Sequence, residues 1–204
     1  TGRGGKEKWA ALTDGSGIAS SPAVSGGQIY LASLSGRVYA FSRTSGKQLW
    51  TMSIQAPVSS SPAVANGLVY LGSSNHKLYA LDEQTGHQRW AKTTTGAILA
   101  SPAVAYQLVY ITTLSGSLYA FNSLTGTLRW ISSSPGAANS SPFVADKLVY
   151  LGTTKKAVLA FNVFTGKRQE VLPTKASVTD SPTVANGVIY IGAVDGTLSA
   201  FHAA

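Results

Sequence analysis

The side chains able to do acid–base or metal chemistry are few and scattered. All eight carboxylates are Glu7, Asp14, Asp82, Glu83, Asp146, Glu170, Asp180 and Asp195; the histidines are His76, His87 and His202; there is no cysteine. Without cysteine, neither disulfides nor thiolate metal sites are available. Catalytic carboxylates need a partner close by, and a calcium site wants six to eight oxygen ligands, several of them charged. Asp180 has counterparts at 40-residue intervals in Ser20, Ser60, Ala100 and Ser140, so one carboxylate stands among hydroxyls and a methyl. The histidines fall in two kinds of turn and at the C-terminus, a poor basis for metal convergence. No serine sits in a nucleophile elbow, and the glycines follow a turn period rather than a phosphate loop. The chain reads as non-enzymatic, with no cofactor and no metal.

That 40-residue interval governs the whole sequence. Ser-Pro returns at Ser21-Pro22, Ser61-Pro62, Ser101-Pro102, Ser141-Pro142 and Ser181-Pro182. A strict period of this size marks one supersecondary unit that must pack on its neighbours to bury its apolar face. In the second copy, Ser61–Ala65, Leu68–Gly72, Lys77–Leu81 and Gln88–Lys92 read as strands, rich in β-branched and aromatic residues. Asn66-Gly67 joins the first two as a tight hairpin, since both positions tolerate positive φ. Nothing has helical periodicity. Each copy is a four-stranded antiparallel meander, and such a meander in series is the blade of a β-propeller.

The packing positions hold across copies. Tyr30, Tyr70, Tyr110, Tyr150 and Tyr190 are identical, and Ala40, Ala80, Ala120, Ala160 and Ala200 mark a crowded site where only a small side chain fits. The fifth copy stops after its third strand, while Lys8-Trp9-Ala10-Ala11 resembles a fourth strand. The sequence therefore predicts an all-β, five-bladed propeller. It is a single domain over 1–204, closed by an N-terminal strand (1–12) that completes the last blade and removes two open edges. Copies two and three agree at 15 of 30 positions between Ser61–Trp90 and Ser101–Trp130. Such likeness fits recent amplification of one blade, or design by repetition.

Ala80 to Trp90 reads Ala-Leu-Asp-Glu-Gln-Thr-Gly-His-Gln-Arg-Trp, and Ala120 to Trp130 and Ala40 to Trp50 follow the same scheme. It resembles the tryptophan-docking motif of the PQQ-like (quinoprotein-type) propeller repeat, and with the Ser-Pro-Ala-Val segments the likeness spans essentially the whole chain. The resemblance assigns structural docking roles to Trp9, Trp50, Trp90 and Trp130 with Gly46, Gly86, Gly126 and Gly166. Each indole would lie on the neighbouring sheet with its N–H on a backbone acceptor. Glu170 stands where the fourth copy should carry Trp, so the contact there is expected to be weaker. The family implies two activities: quinone-dependent dehydrogenases with the cofactor in an eight-bladed ring, and cofactor-free relatives such as the barrel-assembly lipoprotein and kinase sensor domains. All four tryptophans are in docking positions, leaving none to stack on a quinone, so this chain resembles the non-catalytic members. The rival readings are a PQQ-dependent dehydrogenase domain and a sugar-binding propeller with equivalent pockets between blades. Because family rings are usually larger, a further alternative is that these blades are part of a larger ring, or associate through open edges.

The resemblance to non-catalytic members implies a binding or scaffolding module, such as the sensor or interaction domain of a larger bacterial protein. Net charge is +8 with an isoelectric point near 9.8, which favours anionic partners. No Lys/Arg block exceeds two residues, so nucleic acid is not the expected partner; a protein or anionic ligand on a loop face is. The turns between second and third strands differ most between copies and place Arg37, His76, Lys77, Lys155 and Lys156 at one end. Arg43, Lys47, Lys167 and Arg168 lie at the other. No apolar run approaches the ~20 residues of a membrane span. Thr1 to Lys8 do not resemble a secretory signal, and the missing initiator Met suggests a processed or excised chain. Lack of cysteine suits an extracytoplasmic location slightly better than a cytoplasmic one.

Overall fold

A computed structural model describes residues 5–136 and 140–203. Among these, every regular element is a strand. Blade 1 comprises β1 (Ala23–Ser25), β2 (Gln28–Ala32), β3 (Arg37–Ser42) and β4 (Gln48–Ser53). Blade 2 comprises β5 (Ala63–Ala65), β6 (Leu68–Gly72), β7 (Lys77–Asp82) and β8 (Gln88–Thr93). Blade 3 is β9 (Ala103–Ala105), β10 (Leu108–Thr112), β11 (Ser117–Asn122) and β12 (Leu128–Ser133). Blade 4 is β13 (Phe143–Ala145), β14 (Leu148–Thr153), β15 (Ala157–Asn162) and β16 (Arg168–Pro173). Blade 5 has β17 (Thr183–Ala185), β18 (Val188–Gly192) and β19 (Leu198–His202). Every sheet is an antiparallel meander in chain order, four with four strands and the last with three.

Register explains the recurring residues. In blade 2, Ala63 faces Tyr70, Tyr70 faces Ala80, and Ala80 faces Trp90. The row therefore alternates small and large, and the alanine lets the two rings approach to 5.9 Å between centroids. Blades 1 and 3 repeat this with Tyr30–Trp50 and Tyr110–Trp130, also at 5.9 Å. Beside Trp50, Trp90 and Trp130, and beside Glu170 in blade 4, the outer strand bulges, between Ala40/Phe41, Ala80/Leu81, Ala120/Phe121 and Ala160/Phe161. A bulge adds a residue to one strand and sharpens its twist, which turns the indole toward the next blade.

The core is a series of four seams between successive blades. One seam joins Tyr30, Ala40 and Trp50 of blade 1 to Val58, Val69 and Leu71 of blade 2. The blade 2–3 and 3–4 seams repeat it around Trp90 and Trp130, whereas the blade 4–5 seam, around Tyr150, Ala160, Val178 and Ile189, has no tryptophan because Glu170 stands in that register. Each is locked by hydrogen bonds. Trp50 Nε1 donates to the Glu83 carbonyl at 3.0 Å, Trp90 to Ser123 at 3.1 Å and Trp130 to Val163 at 3.0 Å. The same carbonyls accept from the hydroxyls of Tyr30, Tyr70 and Tyr110, at 3.4, 3.2 and 3.3 Å. At the strand starts, the N–H of Ser21 donates to Ser61 Oγ, Ser61 to Ser101, Ser101 to Ser141 and Ser141 to Ser181, all at 2.9–3.0 Å. The Ser-Pro period is thus a ladder running from blade to blade.

Among the described residues, no hydrogen bonds show the closure expected from the sequence. Residues 5–12 make no strand, and β19 keeps an unpaired edge; residues 1–4 of that expected strand lie outside the described residues. No fifth seam joins blade 5 to blade 1 among the described residues. The faces that closure would join stay exposed, Ile18 on the blade 1 side at 46% and Leu198 on β19 at 76%. Trp9 nevertheless docks on blade 1, its Nε1 donating to the Arg43 carbonyl at 3.1 Å, with its ring over Gly46.

Gly46, Gly86, Gly126 and Gly166 all have positive φ, and a Cβ at Gly86 would lie 2.5 Å from the Trp50 ring. Gly86→Ala combines a left-handed backbone with displacement of that indole, and should cost about 2–4 kcal/mol. Urea titration checks it, with Gly67→Ala, whose Cβ meets nothing within 4 Å, as the control for φ alone.

Candidate functional site

One end of the structure is built from the turns between second and third strands together with the loops that join blades. Backbone bonds knit these into a frame. The N–H of Ile54 donates to the Gly36 carbonyl, Thr94 to His76, Ser134 to Gly116 and Thr174 to Lys156. The loop then continues into the next blade, where the N–H of Ser74 donates to Pro57 O and that of Leu114 to Ala97 O. Backbone hydrogen bonds therefore hold the frame alike in each copy, while the side chains it displays differ.

The candidate binding residues project from this frame on blades 1, 2 and 4. Arg37 opens β3; His76 and Lys77 stand at the start of β7; Lys155 and Lys156 lie in the turn before β15. All five are exposed. Arg37 and His76–Lys77 occupy neighbouring blades, whereas Lys155 and Lys156 are separated from them by the blade 3 turn, Ser115-Gly116-Ser117, which carries no charge. Arg37 is already engaged: its Nε lies 3.8 Å from Asp14 Oδ2. The Asp14 carboxylate also accepts from the hydroxyls of Ser35 and Ser33. The Ser35 hydroxyl first, with the Ser16 N–H and Arg37, holds the Asp14 carboxyl below the usual carboxylate range against the opposing effect of burial. Among the described residues, the one further ion pair is Arg89–Asp82, at 3.9 Å on the opposite end. His76, Lys77, Lys155 and Lys156 carry no carboxylate partner among those residues.

Backbone geometry singles out two of these residues. At the tip of the turn, Gly36, Gly116 and Gly196 have φ of 86°, 77° and 82°. His76 and Lys156 occupy the equivalent position at 65° and 58°. A side chain in the left-handed region costs roughly 1–2 kcal/mol that glycine avoids. Sequence reading placed both residues in the turn but missed the strain; the glycines at 36, 116 and 196 were the available signal.

The opposite end is organised by the docking motif itself. Asp82 Oδ1 accepts from the N–H groups of Gln84 and Thr85 and from the Thr85 hydroxyl at 3.0–3.1 Å. Asn122 and Asn162 do the same in blades 3 and 4. The Thr85 hydroxyl, followed by the Thr85 N–H, lowers the Asp82 pKa. Two cavities of about 280 and 370 Å³ occupy equivalent places on blades 3 and 4. The first is lined by Tyr106, Gln107, Arg129 and Phe164; the second by Asp146, Lys147, Gln169 and Glu170. Their linings differ in charge and aromaticity, so they are not copies of one subsite. Glu170 faces Ala160 in the register that Trp holds elsewhere and borders the second cavity.

A quinone with calcium does not fit the residues present. Among the described residues no three His, Asp or Glu side chains converge. Ser20 and Ser60 at the strand starts hydrogen bond to the Ala32 and Gly72 backbone, and Asp180 is exposed and belongs to no such group. Trp9, Trp50, Trp90 and Trp130 are all held at blade surfaces by the bonds above.

These features define a fold class, a propeller of meander blades stapled by Trp–Gly contacts. The chain belongs to the PQQ-like repeat family, whose model, described as outer membrane protein assembly factor BamB, matches residues 2–204. No curated protein sequence matches it. Among solved structures it is similar to BamB from Moraxella catarrhalis, at 19% identity and a TM-score of 0.78, over 94% of this chain and 60% of that one. It is also similar to the computationally designed Ika8 protein, at 15% identity and a TM-score of 0.80, over 89% of this chain and 57% of that one. The chain thus spans about three fifths of the length of each. Both likenesses concern the fold.

Because the Asp82 pKa is lowered on folding, the turn's stabilisation is present above the ordinary carboxylate pKa of about 3.9 and is lost as pH falls through the folded value. Asp82→Asn copies the cap that Asn122 and Asn162 already provide. It should leave stability at pH 7 within about 0.5 kcal/mol and flatten its decline below pH ~4. Thermal unfolding of both proteins from pH 7 to pH 2 measures this.

Proposed function

We propose that this protein is a non-catalytic scaffolding module that binds an acidic protein segment at its loop end and works outside the cytoplasm. The observation that carries the reading is the pair His76 and Lys156, cationic or titratable side chains kept at left-handed turn positions where three sister copies use glycine. Backbone strain of this kind persists where the surroundings over-determine it, and it clusters at functional positions. Lys77 and Lys155 adjoin them, and all four lack carboxylate partners among the described residues. The net charge of +8 steers acidic partners toward such a rim. Family membership supports a role in assembly, the activity named in the family's description, and with it an extracytoplasmic location. The dehydrogenase reading finds no support in the donor set.

The experiment is a binding titration with a fluorescein-labelled Asp/Glu-rich peptide. Affinity should fall with added salt and drop about tenfold in Lys77→Glu/Lys155→Glu, since reversing a rim charge alters electrostatic attraction. His76→Gly and Lys156→Gly should weaken binding while stabilising the fold by about 0.5–1 kcal/mol each. A peptide that does not bind, or that binds all variants equally, sinks the proposal.

A further inference from the structure

At the docking end, the hairpin between first and second strands lies beside the docking turn of the following blade. The turn keeps a hydroxyl residue and its glycine in each copy, but the residue two before the glycine varies: Thr44, Gln84, Leu124 and Phe164. The hairpin tips vary too, as Gly26-Gly27, Asn66-Gly67, Tyr106-Gln107, Asp146-Lys147 and Asn186-Gly187. Both variable places are aromatic only between blades 3 and 4. Tyr106 and Phe164 meet there edge to face, with ring centroids 5.5 Å apart. Their contact does not cover them: they stay 47% and 54% exposed. Tyr106 and Gln107 also hold φ of 51° and 59°, a conformation that Asn-Gly tips adopt readily and a bulky residue resists.

The same place carries an unbalanced charge. In blade 2, Arg89 on the outer strand has a carboxylate at the end of β7, with Asp82 Oδ2 at 3.9 Å. Blade 1 has Leu49 and Ser42 at these positions, and blade 4 has Gln169 and Asn162, so neither bears a charge. Of the four blades with an outer strand, blade 3 alone keeps the arginine, Arg129, and replaces the carboxylate by an amide, Asn122. Asn122 Oδ1 is occupied by the docking turn, accepting from the N–H groups of Leu124 and Thr125 and from the Thr125 hydroxyl. Its Nδ2 and the Arg129 guanidinium donate to nothing among the described residues. These residues and the two rings line one cavity of about 280 Å³. A guanidinium fork matches a carboxylate, and exposed rings take up flat apolar groups.

We infer that this cavity binds a small aromatic monocarboxylate. Its ring lies against Tyr106 and Phe164, and its carboxylate takes on Arg129 the place that Asp82 takes beside Arg89. The charge lacking is that of one carboxylate, so a monoanion balances the site. The volume suits a single ring rather than a larger molecule. The corresponding cavity on blade 4 has Asp146 and Glu170 in its lining, which repel such an anion. The site is at the opposite end from the loop rim and does not depend on what binds there.

The probe is hydrocinnamate, titrated into isotope-labelled protein and followed by amide chemical shifts. Signals of Tyr106, Gln107, Asn122 and Phe164 should move. Hydrocinnamate should bind about tenfold or more tightly than acetate or hydrocinnamyl alcohol, each of which carries half of the chemistry. Each variant takes a residue that another blade already uses at the same position, so the fold is expected to hold. Asn122→Asp supplies the carboxylate from within, as Asp82 does, and should weaken hydrocinnamate about tenfold. Arg129→Leu, after Leu49, should do the same. Phe164→Gln, after Gln84, and Tyr106→Asn, after Asn66, should remove the advantage of hydrocinnamate over acetate. Equal binding of hydrocinnamate and acetate to the parent chain overturns the inference, whether or not any variant folds. So does an Asn122→Asp protein that binds hydrocinnamate as well as its parent. Shifts confined to His76, Lys77, Lys155 and Lys156 place the anion on the loop rim and overturn it as well.

Discussion

A single backbone carbonyl at each of three seams ties successive blades together. The oxygens of Glu83, Ser123 and Val163 each accept two hydrogen bonds from the preceding blade, one from an indole N–H and one from a tyrosine hydroxyl. A carbonyl has two lone pairs, and burying it half-satisfied wastes part of a costly desolvation. Two donors from one rigid aromatic pair fill both. They also fix the distance and the direction between sheets, because neither ring can move without leaving the other's contact. The alanine between the rings, the glycine under the indole and the bulge beside it are all conditions for that approach. Tyr30, Tyr70 and Tyr110 bear the cost on their own titration: burial, the first cause in each case, raises their pKa.

Much of this was legible because it repeats. Trp with Gly at fixed spacing announced the docking contact, and alternation of apolar residues announced the strands, whose ends moved by no more than two residues. The tyrosines read only as packing, since identity across copies does not distinguish a filler from a donor. Ser-Pro read only as the marker of the 40-residue period. Its real content is the serine, whose hydroxyl accepts from a backbone N–H one blade away. A contact between residues 40 apart leaves no local pattern, so only coordinates reveal it.

Closure escapes such reading for a related reason. The sequence specifies a unit and its partner, but the rotation between units comes from side chains meeting across a seam. Counting five of every strand makes a complete inventory without saying whether the inventory meets. Lys8–Ala11 carries the right residues for an outer strand, and Trp9 performs that role toward blade 1. Its pairing with β19 depends on the accumulated turn of four seams, a global quantity.

Symmetry also confines where function resides. Seams, ladder and docking turns spend the same side chains in each copy, so variation there disrupts the geometry that every neighbour shares. The loop end is different. Its hydrogen bonds run through backbone groups, which any residue supplies, and the frame survives exchange of the side chains it displays. Gly36, His76, Gly116, Lys156 and Gly196 demonstrate this freedom at one position. Selection can therefore act on the rim at little structural risk, provided it accepts the strain of a side chain at positive φ. That strain is about the size of a favourable contact with a partner. It has been accepted twice, at His76 and Lys156, and on that the proposal of a partner at the rim of the loop end rests.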